Sequence, residues 1–128
     1  MDSEEFVRAV KTTCSDTEGE DVISSLKNPP GRRPSARLLR LSKWFHQLSP
    51  EVQTMLLEAL TDAAEGAVFG FLCVLDGVRA IESGPQKGNL DLCYVNGDQR
   101  ILLNDPRKGD LHDMFKSMRS FDSMRSFD

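Results

Sequence analysis

Apolar residues recur every three or four positions over most of the chain, which predicts a helix-rich fold. Residues 3–13 form a first amphipathic stretch, with Ser3 as its expected N-cap and the polar residues 12–20 as a loop after it. A short helical segment is predicted over 21–27. A further amphipathic helix is predicted over 35–47, where apolar and basic residues lie on different faces. The first half of the chain therefore reads as helices joined by polar segments.

The longest periodic stretch runs from about 50 to 75 and begins at the clearest helix-start signal in the chain. Ser49 is placed to cap it, and Pro50 suits the first turn, where its missing N–H has no helical partner. Asp76-Gly77 is a typical stop. From Gly66 onward nearly every side is apolar, which predicts burial all round, either at the centre of the fold or in a subunit interface. The second possibility gives four candidate residues for a homodimer interface: Val68, Phe69, Leu72 and Leu75.

The apolar spacing changes from helical to alternating near residue 89. Three side chains then point to one face and are expected in or near the core: Leu90, Leu92 and Tyr94. The dipeptide Asn96-Gly97 is typical of a two-residue hairpin turn. A turn there would pair Leu92 with Ile101. It would also pair Leu90 with Leu103, and it predicts one antiparallel β-hairpin over about 89–103 that packs on the helices.

A short C-terminal helix completes the predicted fold. Asp110 can cap it, and apolar residues recur at helical spacing over 111–118. A length of 128 residues suits one domain, so we predict a single helix-rich α+β domain over 1–122. The hexapeptide of residues 117–122 is repeated perfectly as 123–128, and this duplicated tail is expected to be disordered.

Residues 28–34 contain three prolines and a glycine, which predicts an irregular loop. The charge asymmetry of the chain begins in this loop. The net charge is −4, yet residues 27–43 carry six cations and no acid, so the remainder sums to −10. Together with Trp44, five of these cations are the candidate binding residues for an anionic partner: Arg32, Arg33, Arg37, Arg40 and Lys43. The alternative interpretation is a loop followed by the solvated face of a helix.

No catalytic or cofactor-binding motif is present. The sequence lacks a phosphate-binding loop, a nucleophile elbow and an HExxH helix. The three cysteines include no CxxC pair, and His46 and His112 have no motif context. We therefore assign no catalytic residue, no metal ligand and no cofactor. A small enzyme stays open as an alternative, because a pair of catalytic carboxylates leaves no sequence signature.

The sequence shows no signal for a membrane or for secretion. Its longest apolar run, residues 67–75, is about half of what a membrane-spanning helix needs. The N-terminal residues 1–5 are acidic and lack the apolar region of a secretory signal. The odd number of cysteines fits reduced thiols better than a disulfide framework. These features predict a cytoplasmic protein.

Three segments resemble a group of small uncharacterised bacterial proteins: residues 44–49, 71–78 and 111–115. The resemblance spans residues 35–116 and implies a bacterial protein, but it carries over no activity and no functional residue. Small acidic bacterial α+β domains are often immunity or antitoxin-like proteins. We therefore expect an immunity- or inhibitor-like protein–protein interaction module, with a homodimer as one arrangement. Binding of nucleic acid or another anionic ligand through residues 27–43 is the alternative.

Overall fold

The computed structural model describes residues 1–119, which form a helix-rich α+β fold. The helices are α1 (Ser3–Val10), α2 (Glu18–Lys27), α3 (Ala36–His46), α4 (Pro50–Leu75) and α5 (Leu111–Met118). Strands β1 (Cys93–Asn96) and β2 (Gln99–Leu102) form one antiparallel hairpin. The predicted fold class, long helix, hairpin and short C-terminal helix are confirmed. The domain boundary predicted at 122 and the duplicated tail 123–128 lie outside the described residues.

Helix α1 is capped by Asp2, so the prediction of Ser3 as its cap is wrong. The Asp2 carboxylate accepts a hydrogen bond from the Glu5 N–H at 2.8 Å, and the Glu5 carboxylate accepts one from the Asp2 N–H at 3.4 Å. Ser3 is buried, and its hydroxyl donates to the Leu103 carbonyl at 2.6 Å. The serine therefore joins the first helix to the residue that follows β2.

The polar segment predicted as a loop over 12–20 is mostly helical. The chain passes from α1 into a π-helical turn over Lys11–Ser15, and α2 begins at Glu18. Helix α2 packs closely against α4 at Gly19, where a Cβ would lie 2.8 Å from Thr61 Oγ1. Tertiary packing therefore overrides the low helix propensity of this segment.

Serine side chains cap the starts of α3 and α4, and the cap at Ser49 is the one that the sequence predicts. The Ser35 Oγ accepts a hydrogen bond from the Leu38 N–H at 3.1 Å, and the Ser49 Oγ accepts one from the Val52 N–H at 3.3 Å. Pro50 occupies the first turn of α4. Residues 28–35, which precede α3, contain neither helix nor strand.

Trp44 and Phe45 are neighbours near the end of α3, and only Phe45 is buried. Phe45 is fully buried, whereas Trp44 is 45% exposed. Consecutive helical residues point about 100° apart, so only one of the two can face the core. Both aromatic side chains suit a core, so the sequence predicts burial of both beside the Ser49-Pro50 corner, and this prediction is wrong for Trp44.

The core lies where α1 and α5 meet α4. Its fully buried cluster joins α1, α4 and α5 through four side chains: Val7, Leu72, Leu111 and Phe115. Helix α4 is not buried all round within its own chain, so the prediction that its apolar half lies wholly at the centre of the fold is wrong, and the alternative of a subunit interface stays a prediction. Phe71 is 61% exposed and Ala67 is also exposed, so one face of the C-terminal half of α4 meets solvent.

The hairpin forms in a different register from the predicted one. Tyr94 pairs with Ile101, and the turn consists of Gly97-Asp98. Gly97 has a φ of 60°, as the first central residue of a type II′ turn requires. Leu90 falls outside the paired strands and is 46% exposed, so its expected place in or near the core is wrong.

A buried asparagine replaces strand pairing at the open end of the hairpin. Asn104 Nδ2 donates to the carbonyls of Leu75 at 2.7 Å and Leu90 at 2.6 Å, and its Oδ1 accepts from the Leu92 N–H at 2.9 Å. These bonds connect the end of α4, the segment before β1 and the segment after β2. They satisfy backbone groups that the register leaves unpaired.

Within residues 1–119, no helix combines the length and the apolar character that crossing a bilayer requires.

Candidate functional sites

The outward side of α3 is the first candidate site, and we call it the α3 outer face. It consists of five exposed residues of α3: Arg37, Leu39, Arg40, Lys43 and Trp44. Trp44 is 45% exposed and Leu39 is 50% exposed. Arg40 and Trp44 are four residues apart and so lie side by side on the helix. Arg32 and Arg33 are exposed in the irregular loop before α3.

The cations of this region are available to a partner. None of the six cations in residues 27–43 forms a salt bridge with another residue of the described chain. All six side chains are exposed. A basic surface with an exposed tryptophan has the residue types that dominate binding energy in protein interfaces, namely tryptophan and arginine.

The four residues considered for a homodimer interface contact the core of their own chain. Leu72 is 1% exposed and belongs to the core cluster, and the other three are partly buried against that cluster: Val68, Phe69 and Leu75. The exposed large apolar residue in this part of α4 is Phe71.

The second candidate site lies where α4 ends and α5 begins. Helix α4 terminates in a Schellman motif, in which the Val78 N–H donates to the Cys73 carbonyl at 3.0 Å and the Gly77 N–H donates to the Val74 carbonyl at 3.1 Å. Gly77 adopts a φ of 79°, which a residue with a side chain rarely adopts. This termination holds Asp76 at the start of α5.

Asp76 binds His112 through two hydrogen bonds. Its Oδ2 accepts from the His112 backbone N–H at 2.8 Å and lies 2.6 Å from His112 Nδ1. The Asp76 side chain is 2% exposed and that of His112 is 14% exposed. The Phe69 ring meets the imidazole edge to face, with 5.8 Å between ring centroids. These contacts fix the imidazole and leave Nε2 facing Asp113 Oδ1 at 3.5 Å.

Asp110 does not cap α5 with its side chain, contrary to the prediction. Asp76 takes that role by accepting the His112 N–H. The sequence did not reveal this pair, because 36 residues separate its members. Asp76 had a sufficient local role as a helix stop, and no local pattern distinguishes a histidine that contacts a distant carboxylate.

Asp110, His112 and Asp113 form a group with the chemistry of a metal site. One ligand atom from each lies within 4.8 Å of the other two. Carboxylate oxygen and imidazole nitrogen are both ligands of zinc-type divalent ions. No metal ligand was predicted from the sequence, because these residues match no metal-binding motif.

Cys73 is one turn of helix before Asp76 and is the buried thiol of the region, with 6% exposure. Burial raises the pKa of the Cys73 thiol, although the positive charge of Arg79 partly opposes the shift. A higher pKa means less thiolate at neutral pH, and the thiolate is the nucleophile. Cys73 is therefore a core residue rather than a candidate nucleophile.

We expect Cys73 to react with iodoacetamide at pH 7.5 about tenfold more slowly than Cys14, which is exposed. Peptide mapping by mass spectrometry measures the rate at each cysteine. The Cys73 rate should rise as pH increases toward the raised pKa. In urea the three rates should become similar, and equal rates in the folded protein would contradict the assignment.

A cleft of 620 Å³ lies beside the end of α4. Its walls are the end of α4, residues 78–82 and 87–91, and three residues near the end of β2: Leu102, Asn104 and Pro106. The charged residues of the lining have both signs: Asp76, Arg79, Glu82, Lys87 and Asp91. This mixture favours no single charge of ligand.

Comparison with known proteins gives no relative. No protein-family model matches the chain, and neither a curated protein nor a solved structure is significantly similar to it. The resemblance to small bacterial proteins therefore stays a prediction. Any proposed function depends on the two sites described above.

Proposed function

We propose that this protein is a protein–protein interaction module that binds an acidic segment of its partner through the α3 outer face. The observation that carries the proposal is the set of exposed, unpaired cations around exposed Trp44 and Leu39. Exposed Trp44 lies one helical turn from exposed Arg40, and tryptophan and arginine are the residue types enriched at the centres of protein interfaces. An inhibitor or immunity protein of this kind would act by covering an acidic surface of its target.

Charge and apolarity together favour a protein partner over nucleic acid. The cations attract carboxylates, while Leu39 and Trp44 provide apolar anchors for neighbouring side chains of the same segment. Nucleic-acid-binding domains are usually basic overall. This chain has a net charge of −4 and a pI of about 5.2, which makes nucleic acid the less favoured partner.

Trp44 is the single tryptophan of the chain, so its fluorescence reports on this face alone. We expect acidic peptides that carry leucine or phenylalanine to shift the Trp44 emission, and oligonucleotides of similar charge to have a weaker effect. Raising the salt concentration should weaken the response, because exposed charges are screened. A response to oligonucleotides alone would contradict the proposal and would support nucleic-acid binding by the α3 outer face instead.

Trp44→Ala should weaken binding of such a peptide by about 30-fold, since truncating a central aromatic anchor costs about 2 kcal/mol or more. Binding is measured by calorimetry, because the variant lacks the fluorophore. Arg40→Glu should also weaken binding, and Arg100→Glu serves as the matched control because Arg100 is an exposed cation in the hairpin. Equal losses in the Arg40 and Arg100 variants would show that binding depends on net charge and would overturn the proposal.

A further inference from the structure

We propose that His112, Asp113 and Asp110 bind one divalent metal ion of the zinc type, with Asp76 orienting the histidine. This site lies at the start of α5 and is separate from the α3 outer face. It would make the corner between α4 and α5 a metal centre.

The orientation of the His112 ring is typical of a metal-binding histidine. Nδ1 lies 2.6 Å from the Asp76 carboxylate, so it carries the proton that it donates. In a neutral ring Nε2 then presents its lone pair outward. Metal-binding histidines commonly show this arrangement, in which a carboxylate holds one ring nitrogen and the metal binds the other. Here that carboxylate comes from a different helix and is almost fully buried.

The positions of the Asp113 and Asp110 carboxylates also suit a shared metal ion. Asp113 Oδ1 lies 3.5 Å from His112 Nε2. Two ligand atoms on a tetrahedral zinc ion, at bond lengths of about 2.1 Å, are about 3.4 Å apart. The Asp110 ligand atom is within 4.8 Å of both. A small movement of the exposed Asp113 and the half-buried Asp110 side chains would therefore bring three ligands to one ion and leave a fourth position for water.

The negative charge at this corner favours the binding of a cation. Nε2 and Asp113 Oδ1 are both acceptors when the ring is neutral, and two acceptors facing each other repel. Three carboxylates meet at this corner, from Asp76, Asp110 and Asp113. They outweigh the partial positive charge at the start of α5. A divalent cation bound between Nε2 and Asp113 Oδ1 removes the repulsion.

Calorimetric titration of the tagless full chain with Zn²⁺ tests the proposal. A Cys14→Ser background removes the exposed thiol as a competing ligand. We expect one ion per chain and at least tenfold weaker binding in Asp113→Asn, whose side chain is 68% exposed and therefore has little part in folding. Asp98→Asn, in the hairpin turn, is the matched control and should bind as the parent does.

Co²⁺ in place of zinc identifies the ligand atoms by its absorption spectrum. We expect d–d bands without a thiolate charge-transfer band, because the proposed ligands are nitrogen and oxygen. Asp76→Asn should weaken Zn²⁺ binding by about 10–100-fold through loss of histidine orientation. Absence of Zn²⁺ binding, a thiolate band, or equal affinity in the Asp113 and Asp98 variants would each overturn the proposal.

Discussion

Replacing Phe115 with alanine is expected to lower the free energy of unfolding by about 3–5 kcal/mol. The Phe115 ring is fully buried in the cluster that joins α1, α4 and α5. Its removal takes apolar surface out of the core and leaves a cavity that the surrounding helices can fill only in part. Since small domains are stable by about 5–15 kcal/mol, this single change should remove a large part of the total.

Urea unfolding followed by circular dichroism measures the effect of Phe115→Ala. Phe71→Ala is the matched control, because Phe71 is the same residue type but 61% exposed on α4. Exposed substitutions of this kind change stability by about 0.5 kcal/mol or less. If both variants lost the same stability, the assignment of α5 to the core of the chain would be wrong.

Asp76→Ala is expected to lower the free energy of unfolding by about 3–5 kcal/mol. The carboxylate accepts two hydrogen bonds from His112, and bonds to a charged group contribute about 1.5–3 kcal/mol each. Alanine would leave the first turn of α5 without its cap and the imidazole without its partner. The loss should appear at the junction of α4 and α5, which carries part of the core.

The same unfolding experiment, in the presence of a chelator, measures the effect of Asp76→Ala without any contribution from bound metal. Asp113→Ala is the control, because its carboxylate is mostly exposed and lies beside the same histidine. We expect its effect to stay below about 1 kcal/mol, within the range of helix-dipole interactions. A loss in Asp113→Ala as large as that in Asp76→Ala would contradict a specific role for the buried carboxylate.

The α3 outer face could be identified from the sequence because its features are local. The spacing of Arg37, Arg40 and Trp44 on one helix decides that they share a side, whatever the rest of the fold does. That Trp44 lies outside while Phe45 lies inside required the structure. Both aromatic residues suit a core, and only the position of α2 against α3 determines which one is covered.

The pair of Asp76 and His112 could not be identified in this way. Each residue has a local explanation, as a helix stop or as a residue in the first turn of a helix. Their contact depends on how α5 returns to the end of α4, and no sequence pattern encodes a meeting between residues 36 positions apart. The candidate metal site depends on the same meeting, because the Asp76 carboxylate sets the direction of Nε2.

The bounds of α4, the presence of α3 and of the hairpin, and the α+β class can be predicted from the sequence alone. These features depend on capping residues, glycine stops and apolar spacing, which act within a few residues of chain. The hairpin register, the helical state of residues 12–20 and the contact between Asp76 and His112 could be seen only in the folded chain. Those depend on packing between segments distant in sequence, where close approach at Gly19 and the bonds of Asn104 outweigh local preference.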